Sequence, residues 1–316
     1  MNKKLQKRYC LFHKDPDGFF SAYFIHGLHP DAEFIPINYN DPEPVLEDGS
    51  LVWIVDFSWV GPKEHVAEQL EALCARMEHV TVIDHHDGAE AALRAVTAKN
   101  FTLIYDSTKS GTELCFELWA NIYAAARMTS VPQIPYAAQL VADYDMWRHQ
   151  KEGYEPKKKI DVERMNAAAW LMTEKWGSPE FFKRIEEICY SWGGFGEWVT
   201  TGRVALQVAE RHIARAMERV VWIGLRSPAA ASLYLVPAVN SAEYPNELAD
   251  ALADRFPGVP FVAIFHRADG WKFSLRGRGG SVSVNEVAAL YGGSGHKNAA
   301  GFTVRDLSGI PFKEVA

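Results

Sequence analysis

The chain has 316 residues, room for two domains of roughly 150 residues each, with 48% hydrophobic residues and a net charge of −7. Proteins that grip long nucleic acid show a basic face, so the acid excess points to a small anionic substrate and to no stable long nucleic-acid partner. No apolar run reaches the ~18 residues of a membrane span, so no membrane association is expected. Cys10, Cys74, Cys115 and Cys189 lie far apart with no Cys-x-x-Cys, which argues against a disulfide framework or thiolate zinc and fits a reducing cytoplasm.

In chain order, Tyr9 to Phe12 reads as a short strand and Gly18 to Gly27 as a helix. Glu33 to Ile37 and Leu51 to Val55 are strands, and Pro62 to Met77 is a helix with proline in its first turn. His79 to Ile83 and Phe101 to Tyr105 are strands, and Gly111 to Ala126 is a helix. This alternation predicts an α/β fold around a mainly parallel sheet. Tyr136 to about Trp222 reads as a helical insert, with Lys157-Lys158-Lys159 in a solvated loop and Arg203 to Val221 as a connecting helix. A smaller α/β unit follows. Ala231 to Val236, Val259 to His266 and Trp271 to Leu275 are its strands, and Glu243 to Arg255 is a helix. Ser283 to Glu286 fits a capping box opening a helix to Leu290. The domain expectation is 1–200, a linker helix over 201–228, and 229–316.

Polar residues collect at the strand ends. Asp84-His85-His86 closes the apolar run His79 to Ile83, and three such side chains are costly there unless something uses them. In open α/β sheets, ligands bind at the C-terminal ends of strands. His13-Lys14-Asp15-Pro16-Asp17-Gly18 follows the first strand, and alternation along extended chain would point His13, Asp15 and Asp17 one way. Asp56 ends the strand Leu51 to Val55. Asp143 and Asp145 offer a fourth contribution; two residues apart on a helix they cannot share a face, and Asp143 is favoured. Carboxylates and imidazoles without thiolate suit Mn²⁺, with Mg²⁺ as the alternative, and the ligand count suffices for two ions. Farther on, Gly292-Gly293-Ser294-Gly295-His296-Lys297 could bring backbone N–H groups to an oxyanion, with Arg276 ending a nearby strand.

These motifs, in this order, resemble the DHH–DHHA1 phosphoesterases over most of the chain. The resemblance implies an N-terminal parallel-sheet DHH domain with a helical insert, a connecting helix and a C-terminal DHHA1 domain. It implies that His13 and Asp15 bind one metal, that Asp17, His85 and Asp143 bind another, and that Asp56 bridges the two. It gives His86 to the substrate phosphate and Asp84 to orienting the histidines, both in the catalytic centre. Arg276, Gly293, Ser294, Gly295 and His296 would hold the substrate. Two features depart from the family: one residue separates His13 from Asp15, and Ser294 stands in the usual glycine run.

The expected activity is two-metal, manganese-dependent hydrolysis of short oligonucleotides or linear dinucleotides to nucleoside monophosphates. Release of phosphate from a monoester or polyphosphate, such as a nucleoside 3′,5′-bisphosphate, is the alternative, and a non-catalytic nucleotide-binding protein is a third reading. A homodimer is compatible with this sequence.

Overall fold

A computed structural model describes residues 6–39, 41–59, 63–228, 232–277, 282–295 and 297–313. The chain divides into two compact units, Met1–Leu206 and Gln207–Ala316. Among the described residues, no helix is long and apolar enough to cross a membrane.

The first unit begins with β1 (Arg8–His13), α1 (Pro16–Leu28), β2 (Glu33–Ile37), β3 (Leu51–Val55) and α2 (Lys63–Arg76). It continues with β4 (His79–Asp84), α3 (Asp87–Leu93), β5 (Phe101–Tyr105) and α4 (Gly111–Arg127). The five strands form a fully parallel sheet in the order β2-β1-β3-β4-β5. Parallel strands covered on both faces bury nearly continuous apolar runs, as Cys10 to Phe12 and Val82 to Ile83 do here. The chain leaves β1 for β2 on one side and returns to β3 on the other. The sheet therefore switches direction between β1 and β3, where an open α/β sheet has its ligand crevice.

One face of this sheet carries α2 and α3, with Val66, Leu70 and Leu93 in the core. The other face carries α1 and α4, joined by α5 (Tyr136–Asp145), α6 (Pro156–Ala169) and α7 (Pro179–Tyr190). Helix α1 starts because Asp15 accepts a bond from Gly18 N at 2.9 Å and Pro16 presets the first turn. Its Phe19, Phe20, Phe24 and Ile25 are buried. At its far end Gly27 lies against Trp119 of α4, so close that a Cβ would sit 2.7 Å from the indole nitrogen. Helix α4 opens with a capping box, Ser110 and Glu113 bonding reciprocally to backbone N–H groups.

The boundary between the units falls within α8 (Trp192–Met217). The second unit holds β6 (Val221–Arg226), β7 (Leu233–Asn240), α9 (Pro245–Arg255), β8 (Phe261–Arg267) and β9 (Trp271–Gly277). It closes with α10 (Val284–Ala289), β10 (Ser294–Gly295), β11 (Ala299–Val304) and β12 (Phe312–Lys313). Its mixed sheet runs β10-β11-β9-β8-β7-β6-β12, with only β7 and β8 parallel among neighbours. Leu248 and Leu252 of α9 cover one face and Val284 and Val287 of α10 cover the other.

Three expectations change. Helix α8 begins at Trp192, earlier than the connecting helix expected from Arg203, and ends at Met217, so that Val221 opens a strand. Ser283 precedes α10 but makes no side-chain cap bond. Lys158 is not in a solvated loop: it lies in the first turn of α6 and its ammonium reaches the Asp143 carboxylate at 2.6 Å.

Candidate metal centre

His13 ends β1, Asp56 follows β3 and Asp84 ends β4, so three adjacent parallel strands deliver polar side chains to one edge of the sheet. The segment after β1 is not extended throughout: the strand stops at His13, Asp15 caps α1 and Asp17 lies inside the helix. Gly18 is required by close approach, since a Cβ there would lie 2.3 Å from the His13 carbonyl oxygen.

Asp17 is buried and tied down. Its carboxylate accepts from Gly111 N at 2.7 Å and Thr112 N at 3.1 Å, at the start of α4. An acidic group there also meets the positive end of the helix dipole. Asp56 holds a left-handed backbone, φ +53°, an uncommon conformation for a residue other than glycine. Its amide donates to Ile83 O at 2.9 Å, which fixes the turn. Gly111 leaves room for it, because a Cβ at 111 would meet Asp56 Cβ at 2.7 Å.

Around these carboxylates the ligand-type atoms form overlapping groups. His13, Asp15 and Asp56 bring one atom each within 4.8 Å of one another, as do Asp17, His85 and Asp145. Asp56, Asp84, His85 and His86 form a further group. His13 Nδ1 lies 2.6 Å from Asp15 Oδ2 and 3.9 Å from Asp56 Oδ2. His85 Nε2 lies 3.1 Å from Asp56 Oδ1, 3.6 Å from Asp145 Oδ2 and 3.8 Å from Asp17 Oδ2. The contact between His85 and Asp56 joins the first two groups.

The donor set fits divalent cations. His13 Nδ1, Asp56 Oδ2 and Asp145 Oδ2 are buried without a hydrogen-bond partner; the close approach of His13 to Asp15 lacks hydrogen-bond alignment. Buried lone pairs without donors are costly, and oxygen and imidazole donors suit Mn²⁺ or Mg²⁺. The charge balance agrees. Burial, then the Asp17, Asp15, Asp145 and Asp84 carboxylates, push Asp56 well above the usual carboxylate range. Burial, with Asp17 and Asp15, pushes Asp145 up to about 8. Such crowding is relieved by cations.

Asp84 plays a different part. It is fully buried, accepts from Ser58 Oγ, and lies 2.7 Å from His86 Nδ1. Burial opposes its charge, but His86 and Ser58 outweigh burial and hold Asp84 below its ordinary range. Burial likewise disfavours a charged His86, yet Asp84 overrides it and lifts the imidazole to about 9. Asp84 thus favours the protonated form of His86 and directs its ring.

Asp143 is not brought to the cluster. Its carboxylate is occupied by Lys158 at 2.6 Å, Tyr154 Oη at 2.5 Å, Gln139 at 3.0 Å and Arg148 at 3.4 Å. Asp145, at the end of the same helix, reaches His85 instead. The sequence named both residues and favoured the other one. Ser58, Gly111 and Thr112 carry no motif; only the strand-end position of Ser58 offered a signal.

In the second unit, Arg276 of β9 contacts Asn246 Oδ1 through Nε at 3.3 Å and Nη2 at 3.1 Å. It pairs in register with Ala299 of β11, and β11 pairs with Ser294 and Gly295 of β10. Arg276 and the glycine segment thus share one end of the sheet. Gly293 packs where a Cβ would lie 2.1 Å from Gly301 O, and Gly295 has φ +152°. His296 lies outside the described residues.

Residues 7–142 match the model of the DHH family, N-terminal domain. Residues 7–142 thus carry a DHH-family N-terminal domain, and most of the strand-end cluster of carboxylates and imidazoles lies within it. Over 87 residues it is 31% identical to an uncharacterized protein of Acanthamoeba polyphaga mimivirus, a match covering 26% of this chain and 21% of that protein. The chain thus spans about a fifth of the curated relative it matches. Among solved structures, exonuclease RecJ bound to manganese aligns with a TM-score of 0.55 at 16% identity, over 96% of this chain and 86% of RecJ. The DHH domain of a member of the S1p family of ribosomal proteins aligns with a TM-score of 0.55 at 14% identity, over 97% of this chain and 83% of that one. Both show a shared fold.

Proposed function

We propose that this chain hydrolyses short oligonucleotides or linear dinucleotides to nucleoside monophosphates, using two divalent ions, Mn²⁺ foremost. The observation that carries this reading is the pair of ligand groups, His13–Asp15–Asp56 and Asp17–His85–Asp145, meeting at the 3.1 Å contact between His85 and Asp56. In this reading Asp56 is shared by both sites, and Asp145 takes the place first given to Asp143. Bound there, two cations supply an activated water and neutralise phosphoryl charge.

The chain's own residues do the rest. Asp84 holds His86 through Nδ1, leaving Nε2–H as a cationic donor to a phosphoryl oxygen. Asp17, fixed by two backbone amides, and Asp56, fixed by its turn, present preset oxygens to the cations. Arg276, Gly293, Ser294, Gly295 and His296 are proposed to hold the substrate. The acid excess of the chain supports a small substrate over a long strand, and RecJ, an exonuclease with manganese bound, has the same fold.

The test is chromatography of a 5′-phosphorylated diribonucleotide incubated with the protein and Mn²⁺, or with chelator. Mononucleotides formed only with metal support the proposal. Free phosphate from a nucleoside 3′,5′-bisphosphate, with the dinucleotide left intact, would replace it by phosphomonoester hydrolysis.

A further inference from the structure

His13 carries more than a ligand atom. Its ring lies 5.3 Å from the Tyr39 ring and 6.0 Å from Phe57, and Tyr39 stacks on Phe57 at 5.4 Å with 27° between planes. Phe57 is 2% exposed and Tyr39 is 44% exposed. An aromatic face therefore stands open beside the cluster of carboxylates and imidazoles, where a hydrated side chain would be the cheaper choice.

The backbone that carries the ring is also held in place. Tyr39 follows β2, whose last residue Ile37 accepts from Lys14 N at 3.1 Å. Lys14 itself lies between His13 and Asp15, and its ammonium reaches Asp41 Oδ2 at 2.5 Å. Asp41 Oδ2 also accepts from Asn38 N at 2.8 Å, and Tyr39 N donates to Asn38 Oδ1 at 2.8 Å. The turn bearing Tyr39 is thus bolted to the segment that supplies His13 and Asp15. A rigid, backed and partly open aromatic face is what a stacking nucleobase needs, since it costs little ordering entropy. Inorganic polyphosphate or pyrophosphate would gain nothing from it.

We propose that Tyr39, backed by Phe57, is the stacking platform for the base of the nucleotide whose phosphate occupies the metal centre, and so selects nucleotide esters over phosphate compounds without a base. The proposal rests on the phosphodiesterase reading above and deepens it. The face of the ring, not its hydroxyl, does the work, and the role is one of specificity.

The experiment compares KM and kcat for a 5′-phosphorylated dinucleotide and its abasic analogue, with Mn²⁺, in the wild type, Tyr39→Ala and Tyr39→Phe. Base stacking implies that the wild type prefers the dinucleotide in KM by roughly tenfold or more. Tyr39→Ala should abolish that preference, and Tyr39→Phe should restore it. A preference that survives Tyr39→Ala, or is lost equally in Tyr39→Phe, overturns the proposal. Calorimetric binding of AMP and ribose 5-phosphate to the same three proteins separates the two readings. If no variant cleaves either ester, the phosphodiesterase reading fails. The AMP preference, kept or lost on Tyr39→Ala, then decides the platform alone.

Discussion

Buried Asp84 and partly exposed His86 form a carboxylate–imidazole pair, 2.7 Å between Oδ1 and Nδ1, in which neither residue belongs to the two ligand groups joined at Asp56 and His85. The pair fixes which ring nitrogen of His86 is free. Asp84→Asn keeps the shape but removes the charge that holds His86 protonated. The expected loss in kcat is on the order of 10- to 100-fold, the usual effect of an orienting partner, with the circular dichroism spectrum retained. Unchanged kcat would remove His86 from the reaction.

Substitutions of Asp143 and Asp145 should separate structure from metal binding. Asp145→Asn should weaken Mn²⁺ binding by at least about tenfold in calorimetry and leave stability near that of the wild type, because it removes a crowded carboxylate. Asp143→Asn should lower unfolding stability in urea by about 1–3 kcal/mol, since Lys158 and Tyr154 lose a charged acceptor. Its metal affinity should change little. The opposite pattern would return Asp143 to the ligand set.

Gly111→Ala tests the contact between α4 and Asp56. The added methyl would press on Asp56 Cβ and Oδ1, at 2.7 and 2.8 Å. Overpacking of this kind costs about 1–3 kcal/mol, and here it should also displace a ligand oxygen. A melting curve with and without Mn²⁺ would show a lower midpoint and a smaller metal-induced rise. A variant melting like the wild type in both conditions would show that the site yields.

Metal should stabilise the fold. Mn²⁺ at about 100 times its Kd contributes about 2.7 kcal/mol if it binds only the folded chain. The midpoint should therefore rise with Mn²⁺ and fall back with chelator, and Asp56→Asn should blunt the response. No shift at millimolar Mn²⁺ would refute the metal centre.

The parallel sheet was legible because burial on both faces leaves uninterrupted apolar runs such as His79 to Ile83, and the polar residues that end them stand out. The cluster of carboxylates and imidazoles followed from those ends. The fourth contribution was harder to read. Asp143 and Asp145 both end α5, and Asp143 is engaged by Lys158, Tyr154 and Arg148, cations and a phenol brought in by later segments that periodicity cannot place. Lys158 was misread for the same reason. The second sheet was only partly legible: Val221 to Arg226 looks like the tail of a helix, and its strand character comes from pairing with β7.

The two amides that hold Asp17 belong to residues more than ninety positions away, so its location is dictated by where α4 begins and not by α1 alone. Helices α1 and α4 touch again at the opposite end, where Gly27 admits the Trp119 indole. The pair is therefore fixed at two places, the carboxylate at one and a glycine–tryptophan seat at the other. A substitution at Gly27 that pried the helices apart would be felt as a change in metal affinity at the far end of the helix pair.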